Sequence, residues 1–172
     1  NNSDRYQYDV AAYKLDRMLG WEMVPTAVIG EVKGKEGALS DWVTGAINER
    51  DRLEQEMEFL GNCKQWEQYR LRFVFDILIY NEDRNLTNIL WNKDDFSMKF
   101  IDHTLAFRTT EKRPKQYSKV DLSVSDLLRG RLQSLNRPDL DRELSPYLHP
   151  RQIEAILARR DLILKEAKGT SP

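Results

Sequence analysis

The sequence has 172 residues and a formal net charge of −1, with 27 Lys plus Arg against 28 Asp plus Glu. That length predicts one domain, able to bury roughly 70% of its unfolded surface without a disulfide or metal staple. Near-neutral charge excludes a global field for nucleic acid, so any anion site is local, and one cysteine with two histidines excludes a Cys/His structural zinc site.

Ser3 is placed to cap a helix that runs to about Leu19, with Tyr8, Ala11, Ala12, Leu15, Met18 and Leu19 on one stripe and Gly20 as its stop. Two strands follow, roughly 24–32 and 38–43, joined by the Gly/Lys-rich "GKEG". Residues 46–60 are charged and read as a helix with a thin apolar face. "QWEQYRLRFVFDILIY" is a stronger helix, its stripe carried by Trp66, Tyr69, Phe73, Ile77 and Tyr80 and widened by Val74 and Leu78. "NILW" and "SMKFI" read as short strands around the turn "NKDD". A polar stretch leads to two or three helices, the last opening at Pro150 with Ile153, Ile156, Leu157, Ile163 and Leu164 on one face. The class is α+β and mostly helical. No apolar run reaches membrane-spanning length and no signal peptide opens the chain. The single thiol, Cys63, fits a reducing compartment, so a cytoplasmic location is expected. The chain opens on Asn1 and not on Met, as a piece of something longer would.

Chemistry concentrates between Asn81 and Phe107. Asp83 and Asn88 lie five residues apart in the loop after the most apolar helix, and Asp102 follows the second strand of the short hairpin. A hairpin returns the chain to its start, which brings Asp102 back toward Asn88. An amide carbonyl and a carboxylate there are hard oxygen ligands suited to Mg²⁺ shared with phosphates, leaving Asp83 free to orient or deprotonate a hydroxyl. Asp-x4-Asn followed by a second Asp after a β-hairpin is the layout of a kinase catalytic centre. The plainer reading has Asp83 capping a turn, Asn88 ending a loop and Asp102 closing a strand.

"FDILIYNEDRNLTNILW" with "FIDHTLAF" resembles the catalytic and metal-binding segments of atypical kinases related to phosphatidylinositol 3- and 4-kinases, in their bacterial form. The resemblance extends to "YDVAAYKLDRMLGWEMVPTAVI" as helix C and the following strand, to "EGALSDWV" as the strand entering the hinge, and to "LHPRQIEAILARRDLIL" as the terminal helix. It implies a protein-kinase-like fold: residues 1–43 as the remainder of the small lobe, and 44–172 as the helical large lobe. It further implies ATP and Mg²⁺ as cofactors, Asp83, Arg84 and Asn88 as the catalytic set with Asp83 the base, and Asn88 and Asp102 as metal ligands. Ser40, Asp41 and Trp42 would form the hinge against adenine, with Leu90 and Ile101 as apolar floor; ordinary core residues are the other reading of the last two. The substrate would bear a hydroxyl, on a protein, a lipid headgroup or a small molecule.

Departures from that family are also legible. Asp9 stands where helix C usually carries a glutamate that pairs with a strand lysine, and surface exposure is the alternative. Asp102 is followed by His103 and Thr104 where many kinases have a glycine. The glycine-rich loop and strand lysine that hold ATP phosphates have no counterpart in the sequence, so an upstream segment or partner chain would have to complete the site. A pseudokinase or nucleotide-binding interaction module is therefore the competing function. Residues 108–119, with Arg108, Lys112, Arg113, Lys115 and Lys119 against Glu111, either hold an anionic substrate or headgroup or form a solvated loop.

Overall fold

Small and branched side chains at helical spacing drive α1 (Gln7–Leu19) into the middle of the molecule, where Ala11, Ala12, Leu15 and Leu19 are fully buried. The computed structural model describes residues 5–169, so Ser3 lies outside the described residues. Helix entry at Tyr6 has no side-chain cap. The exit is at Gly20, whose φ of 63° suits a residue without Cβ.

β1 (Ala27–Val32) and β2 (Lys35–Ser40) form an antiparallel hairpin with Val32 opposite Lys35. The turn is only Lys33–Gly34, at φ of 52° and 76°. Two left-handed residues match the twist of the flanking strands, so the second strand starts at Lys35 and not at 38, and stops at Ser40 instead of reaching 43. Val28, Ile29, Val32 and Leu39 stay exposed on this ribbon.

The stretch expected as one helix over 46–60 divides into β3 (Ala46–Asn48) and the short α2 (Glu49–Glu54). Its thin apolar face could not support a longer helix, and Ile47 instead lies opposite Trp91 in a sheet. Asn48 caps α2 by accepting from the Asp51 amide at 2.9 Å. Glu49, 3% exposed, accepts from Arg52 Nε at 2.5 Å, Tyr69 hydroxyl at 2.7 Å and Trp91 indole at 2.7 Å. Burial pushes its carboxyl up, but these donors outweigh burial and hold its pKa below the usual range.

α3 (Gln65–Leu78) buries Val74, Phe75, Ile77 and Leu78. Trp66, expected on the buried stripe, is 55% exposed at the first turn, with Arg70 over its ring. β4 (Ile89–Asn92) and β5 (Met98–Phe100) form the expected hairpin, with Ile89 opposite Phe100 and Trp91 opposite Met98. β3 adds to its edge, giving the order β3-β4-β5. Gln68 on α3 staples this sheet, donating to the Phe96 carbonyl at 2.9 Å and accepting from the Met98 amide at 2.7 Å.

The remainder is β6 (Ser123–Val124), α4 (Asp126–Ser134), α5 (Arg137–Leu144), α6 (Pro150–Glu166) and β7 (Lys168–Gly169). Ser125, Asn136 and His149 cap the three helices. α6 buries Ile153, Ile156 and Ile163 as its spacing predicts, and β7 pairs in parallel with β6. The fold is α+β, and among the described residues no helix is long and apolar enough to cross a membrane.

Glu49→Ala strands three donors at once, those of Arg52 and Trp91 buried and that of Tyr69 half-buried. Each unsatisfied group costs about 1–3 kcal/mol, so urea denaturation is expected to register a loss of about 3 kcal/mol or more. A loss below about 1 kcal/mol would show that the network contributes little.

Candidate active site

The site rests on a carboxylate set inside an apolar helix. Asp76 on α3 is fully buried and accepts from Arg84 Nη2 at 3.0 Å, from the Tyr117 hydroxyl at 2.9 Å and from Asn81 Nδ2 at 3.2 Å. The Arg84 side chain is equally inaccessible. Its Nη1 donates to the carbonyls of Asn88 at 3.1 Å and Ile101 at 2.7 Å. One guanidinium therefore ties the end of α3, the loop after it and the exit of β5. The sequence places Arg84 in the catalytic set, but its burial makes it a positioning residue that reaches no substrate.

That anchoring brings the two predicted ligands together. Asn88 is buried, and its Nδ2 lies 3.5 Å from Asp102 Oδ2 and 3.4 Å from the Asp83 carbonyl. The Ile101 amide donates to the Asn88 carbonyl at 3.2 Å. Asp102 is exposed, at a left-handed φ of 58°, and its Oδ1 accepts from the Thr104 hydroxyl at 2.9 Å. The Asp83 carboxylate is exposed, while its amide donates to Asn81 Oδ1 at 3.0 Å. Tyr80 and Phe107 are also left-handed, at φ of 52° and 59°. Non-glycine residues in this region store strain that the surroundings must overcome, and such residues gather at functional sites.

Asp9 neither meets a lysine nor points to open solvent. Its Oδ1 accepts from the His103 amide at 2.7 Å and lies 3.3 Å from His103 Nδ1, while the Arg5 amide donates to the Thr104 carbonyl at 3.0 Å. Burial holds the His103 imidazole below its ordinary pKa, with the Asp9 bond opposing. Ser40, Ile101 and Asp102 line one hollow of about 80 Å³ together with Asp9 and His103. Asp41 and Trp42 line a separate shallow one, with Trp42 88% exposed. Leu90 is half-buried opposite Lys99 and lines neither. In the basic stretch, Arg113 is committed to Glu166 and to the Tyr117 and Val120 carbonyls, and Arg108 faces Glu82 at 3.8 Å.

Sequence reading missed Asp76, Asn81 and Tyr117. The signal for the first was present, since a charge inside "FVFDILIY" is costly unless paired.

The same architecture occurs in solved kinases. A structure of hydra Fam20 with sugar superposes with a TM-score of 0.63 at 17% identity, covering 95% of this chain and 70% of that one. The Golgi casein kinase gives 0.60 at 14% identity, and its Mn/ADP-bound form 0.62 at 14%, each covering 95% of this chain and 60% of the other. The fold is kinase-like. Residues 24–122, more than half of the chain, match the family described as HipA-like kinase, and the chain belongs to that family. Curated proteins offered no match.

Removing one partner of a buried ion pair costs about 3–5 kcal/mol. Asp76→Ala is therefore expected to lower stability by that amount in urea denaturation, and loss below about 1 kcal/mol would remove Asp76 as the anchor. His103 yields a pH test. Its folded pKa is depressed, so the unfolded chain takes up a proton first, and stability falls as pH drops below about 6.5. Wild type is expected to lose up to about 1.4 kcal/mol more than His103→Gln between pH 7.5 and 5.5. Parallel losses would show that His103 does not titrate differently in the two states.

Proposed function

We propose that the chain is the greater part of an ATP- and Mg²⁺-dependent phosphotransferase that moves the γ-phosphoryl group to a hydroxyl. The observation that carries this reading is the meeting of Asn88 and Asp102 at 3.5 Å beside Asp83, on a support fixed by Arg84 and Asp76. Membership of the HipA-like kinase family supports it, as does a kinase of the same fold described with Mn/ADP. A wider relation to phosphatidylinositol 3- and 4-kinase-related enzymes belongs to the same proposal, on the Asp83–Asn88 and Ile101–Asp102 matches.

The donor set suits a hard cation. The solvent-facing Asp102 carboxylate would supply oxygen, as would the Asn88 amide once turned over from the orientation in which its Nδ2 faces Asp102, and no group of three or more His, Cys, Asp or Glu among the described residues forms a self-contained metal cage. That is the arrangement expected for Mg²⁺, which keeps water and substrate phosphates among its ligands. Bound by Asn88 and Asp102, it would neutralise charge on the phosphate oxygens.

Asp83 is proposed as the base, its exposed carboxylate available to a substrate hydroxyl and its backbone fixed by Asn81. Arg84 sets the spacing of the Asn88 and Ile101 backbones. Ser40, Asp41 and Trp42 would form the hinge, with Ile101 beneath adenine; Leu90, which lines neither hollow, drops out of the floor. The hollow at Ser40 and Asp102 measures about 80 Å³, well below the roughly 300 Å³ at which ligand pockets begin. A nucleotide would therefore lie over its mouth and be covered by elements other than the described residues. We accordingly read residues 1–43 as the remainder of a small lobe and 44–172 as the large lobe, with the glycine-rich loop and lysine supplied from outside. The cytoplasm is proposed as the setting, on the exposed free thiol of Cys63. A nucleotide-binding module without turnover is the second reading, favoured by the engagement of Asp9 with His103 instead of a lysine.

In the full-length protein, Asp83→Ala is expected to cut turnover by about 10²–10⁴-fold with nucleotide affinity nearly unchanged. Asp102→Ala is expected to weaken Mg·ATP binding as well. Steady-state kinetics with titration of Mg·ATP separates the two roles, and equal, mild effects would assign both residues to structure.

A further inference from the structure

Beside the Asp83 segment the surface opens into a cavity of about 390 Å³ whose wall includes Tyr80, Glu82, Arg108, Thr109, Thr110 and Gln152. Its size falls within the range of small-molecule sites. The walls come from the residues after α3, the stretch after Asp102 and the first turns of α1 and α6. Gln152 is already committed, donating to the Tyr8 hydroxyl at 2.9 Å and the Phe107 carbonyl at 2.6 Å.

Arg108 is not so committed. Arg108 meets Glu82 only at 3.8 Å, with both side chains partly exposed, and its Nε is buried without a hydrogen-bond partner. Directly behind the wall lies Arg159 of α6, fully buried. It donates to the carbonyls of Leu78 at 2.9 Å and Arg108 at 3.0 Å and to that of Thr110, and its guanidinium lies 5.7 Å from the centre of the Tyr80 ring. Its Nη2 has no partner, and the ion pairs among the described residues give it no carboxylate. Burial lowers its pKa to about 9, so at neutral pH the charge remains. A buried cation without a counter-ion is costly, and an anion bound against the wall would offset that cost.

We propose that this cavity is the acceptor subsite and takes a small hydroxylated molecule carrying a phosphate or carboxylate group. Arg108 contacts the anion, Thr109 and Thr110 offer hydroxyls beside it, and Arg159 contributes its field through the wall. The inference rests on the phosphotransferase reading, because the neighbouring Glu82 places the cavity one residue from Asp83. In the reaction the acceptor hydroxyl gives its proton to Asp83, its oxygen bonds to the γ-phosphorus, the bond from that phosphorus to the bridging oxygen breaks, and ADP leaves.

Binding is measured without nucleotide on the full-length protein, by calorimetric titration with glycerol 3-phosphate, glycerate and glycerol at constant ionic strength. At least one anionic probe is expected to bind tenfold or more tightly than glycerol, and which one does so tells phosphate from carboxylate. Arg108→Gln is expected to weaken that binding tenfold or more, whereas Lys165→Gln, the same charge change at an exposed position outside the cavity, leaves it within twofold. Equal affinity for all three probes, or equal losses from the two substitutions, would overturn the subsite. Anion binding that behaves as expected in a protein with no ATP turnover would retain the subsite and remove the phosphotransferase reading. ATP turnover with no preference for anionic acceptors would do the reverse.

Discussion

The buried pair of Asp76 and Arg84 governs the geometry of everything around it. Two charges removed from water are expensive, and their attraction compensates only when the remaining hydrogen-bonding capacity is also met. Here it is met by backbone on one side and side chains on the other: Arg84 turns its other nitrogen to the carbonyls of Asn88 and Ile101, and Asp76 takes the side-chain donors of Asn81 and Tyr117. The groups proposed to meet phosphate are therefore held by a rigid helix and not by their own loop. Separating support from function in this way leaves Asp83 and Asp102 exposed and hydrated, while the groups that aim them are dry.

Electrostatics elsewhere follows the same pattern. Glu49 gathers Arg52, Tyr69 and Trp91 on one carboxylate where β3, α2, α3 and β4 meet. Asp16, also fully buried, takes the Met23 amide and pairs with Arg17; burial nonetheless raises its pKa. Arg159 alone among these buried charges is held by carbonyls without a carboxylate, which sets the α6 side of the molecule apart from the α3 side.

Much of this was legible in the sequence, because period and punctuation are local. The stripe of α1, the apolar run of α3, Pro150 and the return of "SMKFI" to "NILW" each followed from spacing, and with them the approach of Asp102 to Asn88. The failures share a physical cause. β3 is three residues long and is a strand only because β4 lies beside it, which no window over 46–60 can contain. Trp66 continues the spacing of a buried face, but sits at the first turn of α3, before the core begins. The partners of Asp76 lie at positions 81, 84 and 117, and a carboxylate announces the need for partners without naming them. Analogy pairs Asp9 with a lysine, whereas the backbone of His103 takes its side chain.

The way α1 is held has a consequence for control. At its start, Asp9 and Arg5 grip the backbone after Asp102. At its end, Arg131 of α4 donates to the carbonyls of Leu19 and Gly20 at 3.0 and 2.7 Å, and in between its alanines are sealed in the core. Many kinases are switched by moving a small-lobe helix in and out, the place proposed for α1. A helix clamped at both ends and packed on its face cannot swing without breaking those bonds together, so its amides should exchange as slowly as those of α3.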